Sequence, residues 1–301
     1  MRIASVLHDA STDKDGAPLL PTVAIERDGA LYSVAALAEA LGSRCASHDP
    51  AAFGRRYALV SDDWDFQHAV ISLRGESFRE LDERVRSGER PSSARLFPGT
   101  FTWLPPCATE RVSLFLCSGE NAGTHSRGPS FRLGSARALL GHEATVPVLT
   151  DEGHVAIECA VAAVLGDDLF RATEREAHEA IFGYSLLLTF EDGLAAQLGP
   201  SLVTRDECGP IAGLRAQVRL DGQALSVCEV GERPFSAAET IAWISHHMPL
   251  RAGDVIGAAL IDHRELRHRV AFGTRVELAV ERIGKLSGKP TQGPPMRVWR
   301  R

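Results

Sequence analysis

Three apolar runs occupy the middle of this chain, at residues 111–117, 154–165 and 184–190. Each is too short for the roughly 18–20 residues with which a helix crosses a bilayer, and each is followed within three residues by a glycine. Short continuous runs closed in this way read as strands buried on both faces. They commit the second half of the chain to a sheet. More strand follows: residues 214–220 lead into an Asp221-Gly222 turn and a return strand over 224–230. Ser236 with Glu239 three residues on is a capping box, which opens a helix running through Trp243 towards Met248. Residues 249–253 break that helix, Val255-Ile256 is strand again, and 276–283 supplies another.

The first part is patterned differently. Residues 23–32 read as strand, Asp28-Gly29 turn, strand, and 34–41 have helical spacing closed by Gly42. Charges crowd residues 79–90, while Phe78, Leu81 and Val85 mark one apolar face, the pattern of a surface helix. Residues 91–106 carry Pro, Ser and Gly and mark a boundary. The expectation is an α+β, β-rich chain with a small α/β N-terminal domain over 1–95 and a larger β-rich domain over 105–301.

Composition removes several functions. With 33 Lys+Arg against 39 Asp+Glu the formal charge is −6, and no basic stripe is available to displace counterions from phosphates, so nucleic acid is not an expected partner. Six cysteines without C-x-x-C spacing argue against a zinc cluster or a disulfide framework and point to a reducing cytoplasm. The N-terminus turns polar at His8-Asp9, unlike a signal peptide. The lysines are Lys14, Lys285 and Lys289. Nothing from residue 15 to 284 can therefore form a Schiff base, which all but excludes lysine-based covalent catalysis.

Several motifs occur in a fixed order. They are Cys117-x-Gly119-x-Asn121-x-x-x-His125; Val164-Leu165-Gly166; Gly183-Tyr184; Leu198-Gly199-Pro200-x-Leu202-Val203-Thr204; His246-His247-Met248-Pro249-Leu250; Gly253-Asp254-Val255-Ile256; and Gly273-Thr274-Arg275-Val276-Glu277. Together they resemble the fumarylacetoacetate hydrolase superfamily over residues 1–290, most strongly over 111–286. The resemblance implies a β-roll C-terminal domain, a small N-terminal domain and a homodimer. It also implies chemistry on small 1,3-dicarbonyl and 2-oxo acids, in which a magnesium-type ion stabilises the developing enolate.

The departures from that pattern fall on its chemistry. Active relatives hold the metal with a Glu-x-Glu pair and an aspartate on the next strand. Here the first glutamate is Glu158, the second position is Ala160 and the aspartate position is Thr189. One carboxylate of three does not hold a hard cation against water. A family lysine has no counterpart, the loop after the third ligand is shortened to 191–197, and the family's Thr-Gly-Thr-Pro segment reads Gly257-Ala258-Ala259-Leu260. The glutamate that follows the family histidine by three is Gly128. No cofactor is expected in the family's manner.

His125, Asn121 and Glu158 remain. His125, on a glycine-containing loop, is the candidate general acid/base, with Glu158 as its electrostatic or proton-transfer partner; a solvated loop histidine and a Glu158–arginine ion pair are the structural alternatives. Asn121, Arg127, Arg132, Thr189 and Tyr184 are candidate substrate-binding residues, the arginines because a guanidinium clamps a carboxylate bidentately. Alternate residues of a strand share a face, so His154, Glu158 and Glu191 form the arrangement that can rebuild a site for a softer divalent ion. His246-His247 point in different directions from a helix and read as structural, and Cys117 reads as packed. Two functions follow. One is a diverged, metal-independent enzyme acting on an enolisable oxo acid, suited to a specialised pathway such as natural-product assembly. The other is a catalytically silent relative that binds a ligand or a partner.

Overall fold

The computed structural model describes residues 1–8, 21–42, 76–107, 113–118, 128–135, 139–148, 152–190, 195–230, 235–261 and 269–293. The chain opens with β1 (Arg2–His8), β2 (Pro21–Arg27) and β3 (Ala30–Ser33), then α1 (Val34–Ala40) and α2 (Glu76–Arg86). β2 and β3 form the expected hairpin, with Asp28 at φ 51° and Gly29 at φ 74°, the signs a type I′ turn requires. The Ser33 hydroxyl accepts the Ala36 N–H to start α1, and Gly42 closes it at φ 60°. α2 buries Phe78, Leu81 and Val85 and turns Glu83 and Arg86 to solvent.

Next come β4 (Arg95–Leu96), β5 (Phe101–Leu104), β6 (Ser113–Ser118), β7 (Ser130–Ser135), β8 (Leu139–Leu140) and β9 (Thr145–Val148). The long strand β10 (His154–Leu165) leads to α3 (Glu174–Ala180), β11 (Ile181–Phe190), β12 (Ala195–Thr204) and the single turn α4 (Arg205–Cys208). β13 (Arg215–Leu220) and β14 (Gln223–Glu229) follow, joined through Asp221-Gly222. Then come the capping-box helix α5 (Ala237–His247), β15 (Val255–Ile261), β16 (Arg269–Ala271), β17 (Val276–Val280) and β18 (Gly284–Gln292).

Among the described residues these strands form two sheets. The larger has 13 strands, ordered β4-β3-β2-β1-β12-β11-β10-β15-β6-β7, with β5, β8 and β16 on its flanks. The smaller is β14-β13-β17-β18-β9. β1 pairs with both β2 and β12, so one sheet runs from the N-terminal strands into the long central ones. β10 and β11 are covered on both faces, as their continuous apolar character requires. Odd residues of β10 (Val155 to Leu165) and even residues of β11 (Tyr184 to Phe190) enter a core with α3, α5 and the second sheet. Ala160, Ala162 and Val164 point the other way, into a core with Phe78, Leu81 and Leu37. No helix among the described residues is long and apolar enough to cross a membrane.

The connection before β9 holds a buried histidine. The His142 side chain is 10% exposed, its Nδ1 accepts the Ser287 N–H at 3.1 Å, and Trp103 meets its ring edge-on at 5.2 Å between centroids. Burial pushes its pKa down to about 4. An unfolded histidine titrates near ~6.5, so between these values the unfolded chain binds a proton that the native one refuses. Stability therefore falls as pH drops from about 6.5 to about 4. In urea unfolding at pH 7.5 and 4.5, His142→Gln should shrink that loss by about 2 kcal/mol. Equal losses in both proteins would refute this reading.

Candidate functional site

Glu158 and Ala160 sit two residues apart on β10 and so share a face. In the β10–β11 ladder Thr189 lies directly opposite Glu158, and its hydroxyl donates to Glu158 Oε2 at 3.4 Å. On the far side of the cleft, Arg132 of β7 is paired with Leu116 of β6, and its Nη2 donates to Glu158 Oε2 at 3.1 Å. β7 lies three places from β10 in the sheet order, farther than an arginine spans across a flat sheet, so the path of the sheet brings the two residues together. Leu116, Ala160, Leu187 and Gly257 wall a narrow cleft of about 10 Å³ around Glu158 and Thr189. The Glu158 and Arg132 side chains are 37% and 36% exposed, which leaves both within reach of a small ligand.

The donor set does not fit the family's metal. The three positions to which the resemblance assigns metal ligands carry a carboxylate, a methyl and a hydroxyl, whereas a hard divalent ion takes several oxygen ligands, carboxylates foremost. The one carboxylate is engaged by a guanidinium. Among the described residues no group of three His, Cys, Asp or Glu is placed to hold a metal. The rebuilt set of His154, Glu158 and Glu191 is not assembled there either. Glu191 lies outside the described residues. His154 shares the face of Glu158, but four residues along a strand span about 13 Å, a separation that four residues of a helix would not impose. His154 is exposed, and its Nδ1 meets the Glu152 carbonyl at 3.2 Å.

Asn121, His125 and Arg127 also lie outside the described residues. Tyr184 is on the opposite face of β11 from Thr189, in the core rather than the cleft, and burial pushes its hydroxyl up to about 12. The helical histidines are both exposed. The His247 ring is tilted against Trp243 at 4.8 Å between centroids and meets Phe131 edge-on at 5.8 Å, with its Nδ1 on the Trp243 carbonyl at 2.8 Å. Cys117 is buried at the cleft wall. Gly128, where the resemblance implies a glutamate, backs onto the Trp243 indole: a Cβ there would lie 2.4 Å from the ring. The glutamate and this tryptophan cannot occupy the two positions together without a shift.

Asp254, part of the Gly-Asp-Val-Ile motif, was not singled out for a role by its sequence context. It is buried, accepts the Ser113 and Arg251 N–H groups at 2.7 and 2.8 Å, and has its pKa raised by burial. It pins the start of β6 beside the start of β15, and with them the Leu116 and Gly257 walls of the cleft.

Comparison with known proteins places this geometry in context. The profile of the fumarylacetoacetate (FAA) hydrolase C-terminal region matches residues 116–190 and 192–289, more than half of the chain. Oxaloacetate tautomerase YisK of Bacillus subtilis (strain 168) is 23% identical over 194 residues, covering 56% of this chain and 61% of that protein. The mitochondrial oxaloacetate tautomerase FAHD2A of Bos taurus is 25% identical over 209 residues, covering 61% and 65%. The matches thus span less than two thirds of these relatives' own length. Among solved structures, maleylpyruvate hydrolase from Sphingobium sp. SYK-6 superposes with a TM-score of 0.68 at 18% identity, over 97% of this chain and 100% of that one. It is a likeness of fold. The same hydrolase has been solved with manganese(II) and pyruvate.

Proposed function

This chain belongs to the fumarylacetoacetate hydrolase family, and from that premise we propose that it transforms a small enolisable oxo acid or 1,3-dicarbonyl compound by acid–base catalysis, without a divalent ion in the family's position. Relatives named as tautomerases and a hydrolase of oxo acids support the substrate class. The observation that carries the reading is Glu158: a carboxylate kept in an accessible cleft with apolar walls, beside a hydroxyl and a guanidinium, where its neighbours on the family's ligand positions have become Ala160 and Thr189. Glu158 takes the proton next to the substrate carbonyl, and His125 serves as the second acid/base group. Cleavage, dehydration, isomerisation and cyclisation all begin with that transfer. A specialised metabolic route suits a chain that retains the fold with its ligand set replaced.

The test is deuterium exchange from solvent, and turnover, across a panel of 2-oxo and 3-oxo acids in the presence of EDTA. Activity is expected to persist in EDTA and to fall by about 10²-fold or more in His125→Ala. Activity that survives both EDTA and His125→Ala overturns the mechanism. Activity that requires added Mg²⁺, together with metal-dependent thermal stabilisation, restores the family's ordinary chemistry. A protein that exchanges none of the panel is instead the silent binding relative.

A further inference from the structure

We propose that the Arg132 guanidinium is the resident cation of this cleft, taking the place of a divalent ion, and that it makes the cleft a receptor for the carboxylate and enolate oxygens of a small 2-oxo acid. The inference rests on the functional reading above and names the group that would hold the substrate. Three observations converge on it. Arg132 Nη2 reaches Glu158 Oε2, so its positive charge is delivered to the one family ligand position that is still a carboxylate. The other two positions, Ala160 and Thr189, carry no charge. The three ligand positions and Arg132 together are therefore electrically neutral, and an incoming anion does not meet the repulsion of three carboxylates. The arginine is also only partly used by the protein: its Nε is buried and has no hydrogen-bond partner among the described residues, while the side chain as a whole remains 36% exposed.

The chemistry suits the task. A guanidinium presents its donors in a rigid planar fork, stays charged at every working pH and binds two oxygens of a planar anion at once. Aimed at the substrate's carbonyl oxygen, it opposes the negative charge that develops as Glu158 removes the neighbouring proton, a role that needs only a fixed donor at the right place. Thr189 donates to the same carboxylate oxygen at 3.4 Å, a second partner for Glu158 within the cleft.

The probe is oxalate, a planar dianion with the oxygen spacing of a 2-oxo acid enolate, titrated calorimetrically into the full chain in EDTA. Wild type is expected to bind it without added metal. Arg132→Gln should weaken binding at least about tenfold, the loss of a charge-assisted hydrogen bond, and Arg132→Lys should fall between the two. Thermal melts near the wild-type value show that the variants are folded. Oxalate binding by wild type only when Mg²⁺ or Mn²⁺ is supplied, no binding under either condition, or unchanged binding by Arg132→Gln would overturn the proposal. Arg132-dependent oxalate binding in a protein that exchanges no substrate proton leaves this inference standing and removes the catalytic reading.

Discussion

Glu158→Gln is expected to lower turnover of the proposed oxo-acid substrate by about 10²- to 10⁴-fold, the range over which a positioned side-chain base contributes, and to leave the fold in place. The amide has nearly the shape of the carboxylate and can still accept from Arg132 through its oxygen, so the cleft keeps its geometry. It has no lone pair basic enough to take a proton. The residue is 37% exposed, so removing its charge strands no deeply buried partner. The loss should appear in kcat more than in KM, because the missing interaction is made in the transition state. Steady-state kinetics beside a circular dichroism spectrum decides the matter: a folded Glu158→Gln protein within tenfold of wild type means that another group moves the proton.

The largest effect on stability is expected far from the cleft. Arg27 of β2 donates through Nη2 to Asp82 of α2 at 2.6 Å and through both terminal nitrogens to Glu207 of α4. All three side chains are largely buried, at 11%, 5% and 18% exposure. Burial by itself would raise the Glu207 pKa. The hydrogen bonds from Arg27 and from the Met1 ammonium outweigh it and hold the group at about 2, and the Arg27 guanidinium is correspondingly raised. A carboxylate depressed in the native state adds stability above its unfolded pKa, and that contribution is lost as pH falls towards 2. Arg27→Met removes the charge-assisted hydrogen bonds of Arg27 to both carboxylates, leaving Asp82 with Arg86 and Glu207 with Arg86, Arg2 and the Met1 ammonium, and should lower unfolding stability by about 2–3 kcal/mol. Denaturant unfolding at pH 7 measures it. A second change, Asp82→Leu, should return part of the loss, since an apolar side chain of similar volume needs no partner. A loss under about 1 kcal/mol in the single variant would show that water reaches the network and screens it.

Much of the fold could be read along the chain because it is specified by neighbouring residues. Asp28-Gly29 and Asp221-Gly222 form their turns because both residues of each pair accept positive φ. Ser236 and Glu239 cap α5 reciprocally, as their spacing demands. The same rule applied to Thr173 and Glu176 announces α3, a signal present in the sequence and not used above. The apolar runs became the doubly covered strands β6, β10 and β11. The side-chain period of two also placed Thr189 across from Glu158, because the ladder between β10 and β11 keeps its register there.

The period of two misled where distance along a strand mattered. His154 and Glu158 share a face, yet two pleat repeats hold them too far apart for a common ion. Tyr184 was assigned to the site from its place in a family motif. The alternation of β11 puts its side chain into the core with Leu186, Leu188 and Phe190, on the face away from Thr189.

Local chemistry, then, specified the turns, the caps and the buried strands, and residue identities alone put Ala160 and Thr189 where the resemblance leads one to expect carboxylates. Those follow from residues a few positions apart or from identities alone. The meeting of Arg132 with Glu158, the packing of Trp243 against Gly128 and the joining of β1 to β12 depend on strand order and on the path of the sheet. Contacts between residues 26, 115 and about 200 positions apart carry no local signature, since any arginine on any strand would have read the same. They exist because the folded sheet brings β7 near β10, where the Arg132 guanidinium reaches the Glu158 carboxylate.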